Sequence, residues 1–174
     1  MSPLAVLAGV AVAAPVLAAG AVVLGIRRRH PRVVGAVHRW QRASVNPRQL
    51  ETAGTAGARM SVVEHVGRRS GRAYATPVGV TDLDGALVVM LPYGPTTDWV
   101  RNVRAAGGAV VRHDGRRVTV GTPEVVPVGE VAVGLSAGDR WTARVFGIRE
   151  ALRLTPAAEP HRSARSLPRP QPVE

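Results

Sequence analysis

The chain has no cysteine, no lysine, one phenylalanine and two tyrosines in 174 residues. Without cysteine there are no disulfides, thiolate nucleophiles or Cys-based zinc sites, and the composition fits a reducing compartment. Five scattered histidines give no metal-ligand spacing, so no metal is expected. With aromatics at 3 % there is no stacking surface for bases, and despite a formal net charge of +11 no nucleic-acid partner is expected. The length suits about one domain with an ordinary core.

Charge is uneven. All 23 basic residues are arginine, and eleven of them fall between Arg27 and Arg72, against only Glu51 and Glu64. Before them, Leu4 to Ile26 is an uncharged, apolar run of about 34 Å as a helix, enough for about 30 Å of hydrocarbon. Followed at once by "RRRHPR", it predicts a single-pass transmembrane anchor in the cell membrane, with the domain that follows it in the cytoplasm. The anchor with its basic flank takes residues 1–30. Residues 31–57 read as a juxtamembrane helical linker, in which Trp40 suits either a membrane interface or a packed core.

From Met60 the periodicity becomes that of strands. "MSVVEHV" and "AYATPVGV" form a hairpin, "ALVVML" a third strand, and "AVVRHDGRRVTVGT" a second hairpin around Asp114-Gly115, a preferred pair for a two-residue turn. "EVVPV" offers a sixth strand. "YGPTTDWVRNVRAAGG" reads as a helix capped by Thr96 or Thr97 and stopped by Gly107-Gly108. Ala137 to Leu154 reads as an amphipathic C-terminal helix, and the proline-rich tail over residues 155–174 as disordered. The fold class is therefore α+β, mainly β: a small barrel of about six antiparallel strands with one inserted helix, spanning residues 58–154.

The turn "GRRSGR" between the first two strands is the sharpest chemical signal. Gly67 and Gly71 free the backbone, and Arg68, Arg69, Arg72 and the Ser70 hydroxyl can surround a phosphate or carboxylate. A solvated hairpin explains the same residues. Neither the ATP-binding glycine loop nor the dinucleotide fingerprint is present. His65, Ser70 and Asp98 have the residue types of a hydrolytic triad but lack a nucleophile elbow. Trp99, Val100 and Val103 recur at helical spacing and suit a core; Asn102, on the Trp99 face, suits either a ligand or a backbone cap.

Together, "VVEHVGRRSGRAYATPV", "LPYGPTTDWVRNVRAAGG" and the "HDGRRVTV" hairpin resemble the deazaflavin-dependent nitroreductase and quinone reductase family, whose members are split β-barrels. The resemblance covers close to half the chain. It implies a site for coenzyme F420, an 8-hydroxy-5-deazaflavin, in preference to FMN. The turn Gly67, Arg68, Arg69, Ser70 and Gly71 would hold its phosphate and acidic tail. Thr76, Pro77 and Val78 would lie against the rings, and Tyr93, Gly94, Trp99 and Asn102 would border the same groove. The implied function is transfer of a hydride from reduced F420 to a small electron acceptor such as a quinone or nitro compound; no catalytic side chain is singled out. The alternative is a non-catalytic binder of F420, another flavin or an anionic lipid. The chain departs from the family at Tyr74, Ala75 and Gly79, where the tail grip and the substrate side are affected.

Overall fold

The computed structural model describes residues 17–41 and 46–157. Helix α1 is described over residues 17–27, followed by α2 (Pro31–Trp40) and α3 (Asn46–Thr52). Seven strands follow: β1 (Ser61–Val66), β2 (Ala73–Val78), β3 (Thr81–Leu83), β4 (Ala86–Met90), β5 (Gly108–His113), β6 (Arg116–Pro127) and β7 (Glu150–Pro156). Helix α4 (Asp98–Ala106) lies between β4 and β5, and α5 (Val128–Val131) and α6 (Ala137–Phe146) between β6 and β7.

The strands form one antiparallel sheet in the order β2-β1-β5-β6-β7-β4-β3. It is a curled half-barrel, and α4 packs Val100 and Val103 into its interior. Alternation sorts each strand. Leu87 and Val89 of β4 and Leu152 and Leu154 of β7 face that interior, whereas Val88 and Ala151 face a second cluster with Val131 and Leu135. Side chains also link distant strands, because His113 of β5 bridges Ser61 of β1 and Asp82 of β3.

The β1–β2 hairpin, β4, α4 and the β5–β6 hairpin fall close to their expected places. Asp114 and Gly115 have φ of 46° and 75°, as a type I′ turn requires. The two separate strands expected over residues 116–128 are one strand, β6. A bulge between Gly121 and Glu124, with Thr122 at φ 45°, turns Val120 and Val125 to the same side and so breaks the alternation. The helix expected over Ala137–Leu154 ends at Phe146, capped by Gly147 at φ 62°. Its last part is β7, hydrogen-bonded between β6 and β4. Thus seven strands replace the six expected. β3, which contains Asp82, is a further additional strand.

Among the described residues no helix is long and apolar enough to cross a membrane. This overturns the single-pass span and the membrane localisation that rests on it, and nothing among the described residues supports the membrane as a partner. Residues 4–16 of the expected span lie outside the described residues. Its described end docks on the protein itself: Ile26 is buried, and a Cβ on Gly25 would lie 2.7 Å from the Val33 methyls. Arg27 donates to the carbonyls of Arg144 and Val145, both at 2.7 Å, near the end of α6. Arg29 pairs with Glu150. Arginines expected to mark a membrane surface instead fasten α1 to the barrel. Trp40 is exposed, not core. The tail expected to be disordered begins, at residues 155–157, with the end of β7; residues 158–174 lie outside the described residues.

Candidate functional site

The β1–β2 turn is held largely by its own backbone. Gly67 N–H donates to Arg72 O and Gly71 N–H to Gly67 O, each at 2.8 Å. Gly71 takes φ 65°, and a Cβ on Gly67 would collide with Ser70 Oγ and lie 2.7 Å from Tyr74 Cε2. Arg72 N–H donates to Ser70 Oγ at 3.3 Å, and Arg68 N–H to Asn102 Oδ1 at 3.2 Å. Four of the six N–H groups from Gly67 to Arg72 thus have acceptors within the protein. The turn therefore offers an anion mainly guanidinium groups, less a backbone cradle.

Those guanidiniums differ. Arg68 reaches Asp98 Oδ1 with both terminal nitrogens at 3.1 Å and Asn102 Oδ1 at 2.9 Å. Arg69, and Arg101 one turn along α4 from Asp98, have no ion-pair partner among the described residues and border the same groove.

Beneath the turn runs a chain of side chains. Asn102 is 6 % exposed and His65 7 %. Asn102 Nδ2 lies 3.3 Å from His65 Nδ1, and His65 Nε2 lies 3.1 Å from Thr76 Oγ1. Tyr74 stacks on the His65 ring at 5.7 Å between centroids. Burial lowers the His65 pKa below its ordinary value, favouring the neutral ring.

The opposite wall comes from α2. Gln41 Nε2 donates to the Tyr93 hydroxyl at 3.0 Å, and the His38 ring meets Tyr93 edge-on at 4.5 Å. Burial raises the Tyr93 phenol, against an opposing pull from Gln41, so its O–H stays a donor at neutral pH. Gly94, at φ 80°, lets Arg29 pass: its Cβ would lie 3.1 Å from Arg29 Cζ.

Eleven of the twelve expected site residues line one groove of about 970 Å³: Gly67, Arg68, Arg69, Ser70, Thr76, Pro77, Val78, Tyr93, Gly94, Trp99 and Asn102. Gly71 shapes the turn from outside that lining. Tyr74, Ala75 and Gly79, where the chain departs from the family pattern, also line it. Trp99 serves both the core and the groove, and Asn102 both caps the turn and lines the groove. Sequence reasoning missed the joint roles of His65, Gln41 and Arg101. A histidine at the same alternation as buried Ser61 and Val63 in β1 was the available signal for the first. The His65, Ser70 and Asp98 triad is not assembled, since the histidine bonds Thr76 and Asn102. Ser61, His113 and Asp82 do form a hydrogen-bonded chain, at 2.6 and 2.9 Å, but Ser61 is only 2 % exposed and lies outside the groove. Among the described residues no cluster could hold a metal.

No protein-family profile matches the chain, and no curated protein is significantly similar to it. Solved structures similar to it include an F420 reductase, 16 % identical over 57 % of this chain and 86 % of that one, with a TM-score of 0.42. A conserved hypothetical protein from Mycobacterium tuberculosis is 13 % identical over 59 % and 75 %, with a TM-score of 0.42. An F420-H2 dependent reductase is 12 % identical over 55 % and 93 %, with a TM-score of 0.35. Likeness this distant carries no argument about what this chain does.

Proposed function

We propose that the groove binds coenzyme F420 and that the protein is an F420-dependent oxidoreductase acting on a small electron acceptor such as a quinone or nitro compound. The observation that carries this reading is the union, in one groove, of free cations at one end and a flat apolar wall at the other. Arg69 and Arg101 stand at the cationic end, and Pro77 and Val78 on β2, beside the Thr76 hydroxyl, form the wall.

The donor set fits the group on two further counts. Glycine at 67, where a Cβ would collide with Ser70 and Tyr74, lets the turn fold tightly with Arg68, Arg69 and Ser70 all lining the groove. Thr97 Oγ1, on the groove wall, is buried without a hydrogen-bond partner among the described residues. Such a group costs free energy unless a ligand or water satisfies it.

Arg69 and Arg101 would hold the anionic tail, and Pro77, Val78 and Trp99 would exclude water from the rings. The coenzyme, when bound, supplies the hydride. Tyr93, kept protonated and accepting from Gln41, would offer its O–H as a hydrogen-bond donor to an acceptor that gains negative charge on reduction. FMN is the weaker candidate, because its single phosphate gives fewer anionic groups to these cations.

The test is turnover: the full chain should oxidise reduced F420 when given menadione or a nitroaromatic. Reduced F420 that binds yet stays unoxidised across such a panel would favour the non-catalytic binder. Absence of F420 binding would remove the oxidoreductase reading and leave only a binder of another flavin or of an anionic lipid.

A further inference from the structure

The polar chain under the turn has a direction. Asn102 Oδ1 accepts from the Arg68 backbone and from its guanidinium, which fixes the amide so that Nδ2 faces His65. Nδ2 can only donate, so His65 Nδ1, 3.3 Å away, must be its unprotonated acceptor. The ring proton of a neutral imidazole then sits on Nε2 and is donated to Thr76 Oγ1 at 3.1 Å. Thr76 Oγ1 has accepted, and its own proton has no acceptor among the described residues. Thr76 lines the groove.

We propose that His65 is a specificity-determining positioning residue: through the one-way chain from Arg68 to Asn102 to His65 to Thr76, it sets the Thr76 hydroxyl as a fixed hydrogen-bond donor into the groove. The free proton then favours a ligand that presents an acceptor atom there, a carbonyl oxygen or a bare ring nitrogen, over one presenting an N–H, which could reach only the remaining lone pair of Oγ1. Because every link donates the same way from a cation, each bond polarises the next. The chain also joins the two ends of the groove, since Asn102, which grips the cationic turn, orients the ring that orients Thr76. The assignment of the donor rests on this chain's own bonds; its effect on F420 rests on the function proposed above.

Nitrogen NMR of the full-length, histidine-labelled protein, with His65 assigned by H65F, reads the tautomer directly. The expected result is a proton on Nε2 and none on Nδ1 at neutral pH. A proton on Nδ1 would overturn the proposal whether or not F420 binds. Affinity for F420 then tests the consequence. T76V, which keeps the shape and removes the hydroxyl, should weaken binding about tenfold, as loss of one hydrogen bond does. T76S should stay within about twofold of wild type. H65F should weaken binding about as much as T76V, and the double variant should be no worse than either alone, because the two changes break one chain. Additive losses in the double variant, or T76S as weak as T76V, would contradict the donor role. If wild type binds no F420, the functional reading fails alone and the tautomer still decides this inference.

Discussion

Asn102 Oδ1 accepts two hydrogen bonds from Arg68, one from its backbone N–H at 3.2 Å and one from its guanidinium at 2.9 Å. A single buried amide on α4 therefore fixes both the path of the β1–β2 turn and the aim of its first arginine. N102L should leave these donors and His65 without their partner. It should lower stability by about 1–3 kcal/mol, the cost of leaving buried polar groups unpaired. Denaturant unfolding measures it; an unchanged midpoint would mean that the turn holds itself.

Arg69 and Arg101 carry the cationic end, because Arg68 is already occupied by Asp98 and Asn102. The R69A/R101A double variant should weaken F420 binding by about 2–4 kcal/mol if both make charge-assisted bonds to the coenzyme. Its affinity should also depend less on salt than that of wild type. Equal affinity and equal salt dependence would place the anion elsewhere.

His65 predicts a pH dependence of stability. Thr76 and Tyr74 of β2 and Asn102 of α4 face the ring, with Arg68 beyond Asn102, and burial lowers its pKa from 6.5. The unfolded chain therefore takes up a proton at a higher pH than the folded protein does. His65's contribution is whole above the ordinary value and is lost as pH falls from there towards the lowered native pKa. The stability of wild type relative to H65F should decline over that window. A difference that stays flat with pH would show that the ring titrates normally.

Leu152 tests the sheet. Fully buried in β7, it packs into the barrel interior, and L152A should cost about 2–5 kcal/mol. A loss below about 1 kcal/mol by thermal or denaturant unfolding would put β7 outside the core.

β7 also shows where sequence stops being informative. "EALRL" is made of good helix formers, and its strand state comes from pairing with β4 and β6 on either side, which no local pattern encodes. The β1–β2 and β5–β6 hairpins were legible, because alternation and turn chemistry are local. β6 was legible only in halves, since its bulge reverses the alternation. The site divides in the same way. The arginine turn and the Thr76-Pro77-Val78 wall are contiguous in sequence, whereas the His65 chain draws on β1, β2 and α4, and the Gln41–Tyr93 contact spans 52 residues. The apolar N-terminal run misled because hydropathy does not reveal that Arg27 finds the end of α6.

The central claim is that this groove takes a deazaflavin with an acidic tail. The most direct measurement is titration of the full-length protein with F420 and, separately, with FMN, followed by fluorescence or calorimetry. F420 should bind more tightly, and its advantage should shrink in R69A/R101A. FMN binding as tight as F420 or tighter would contradict the account.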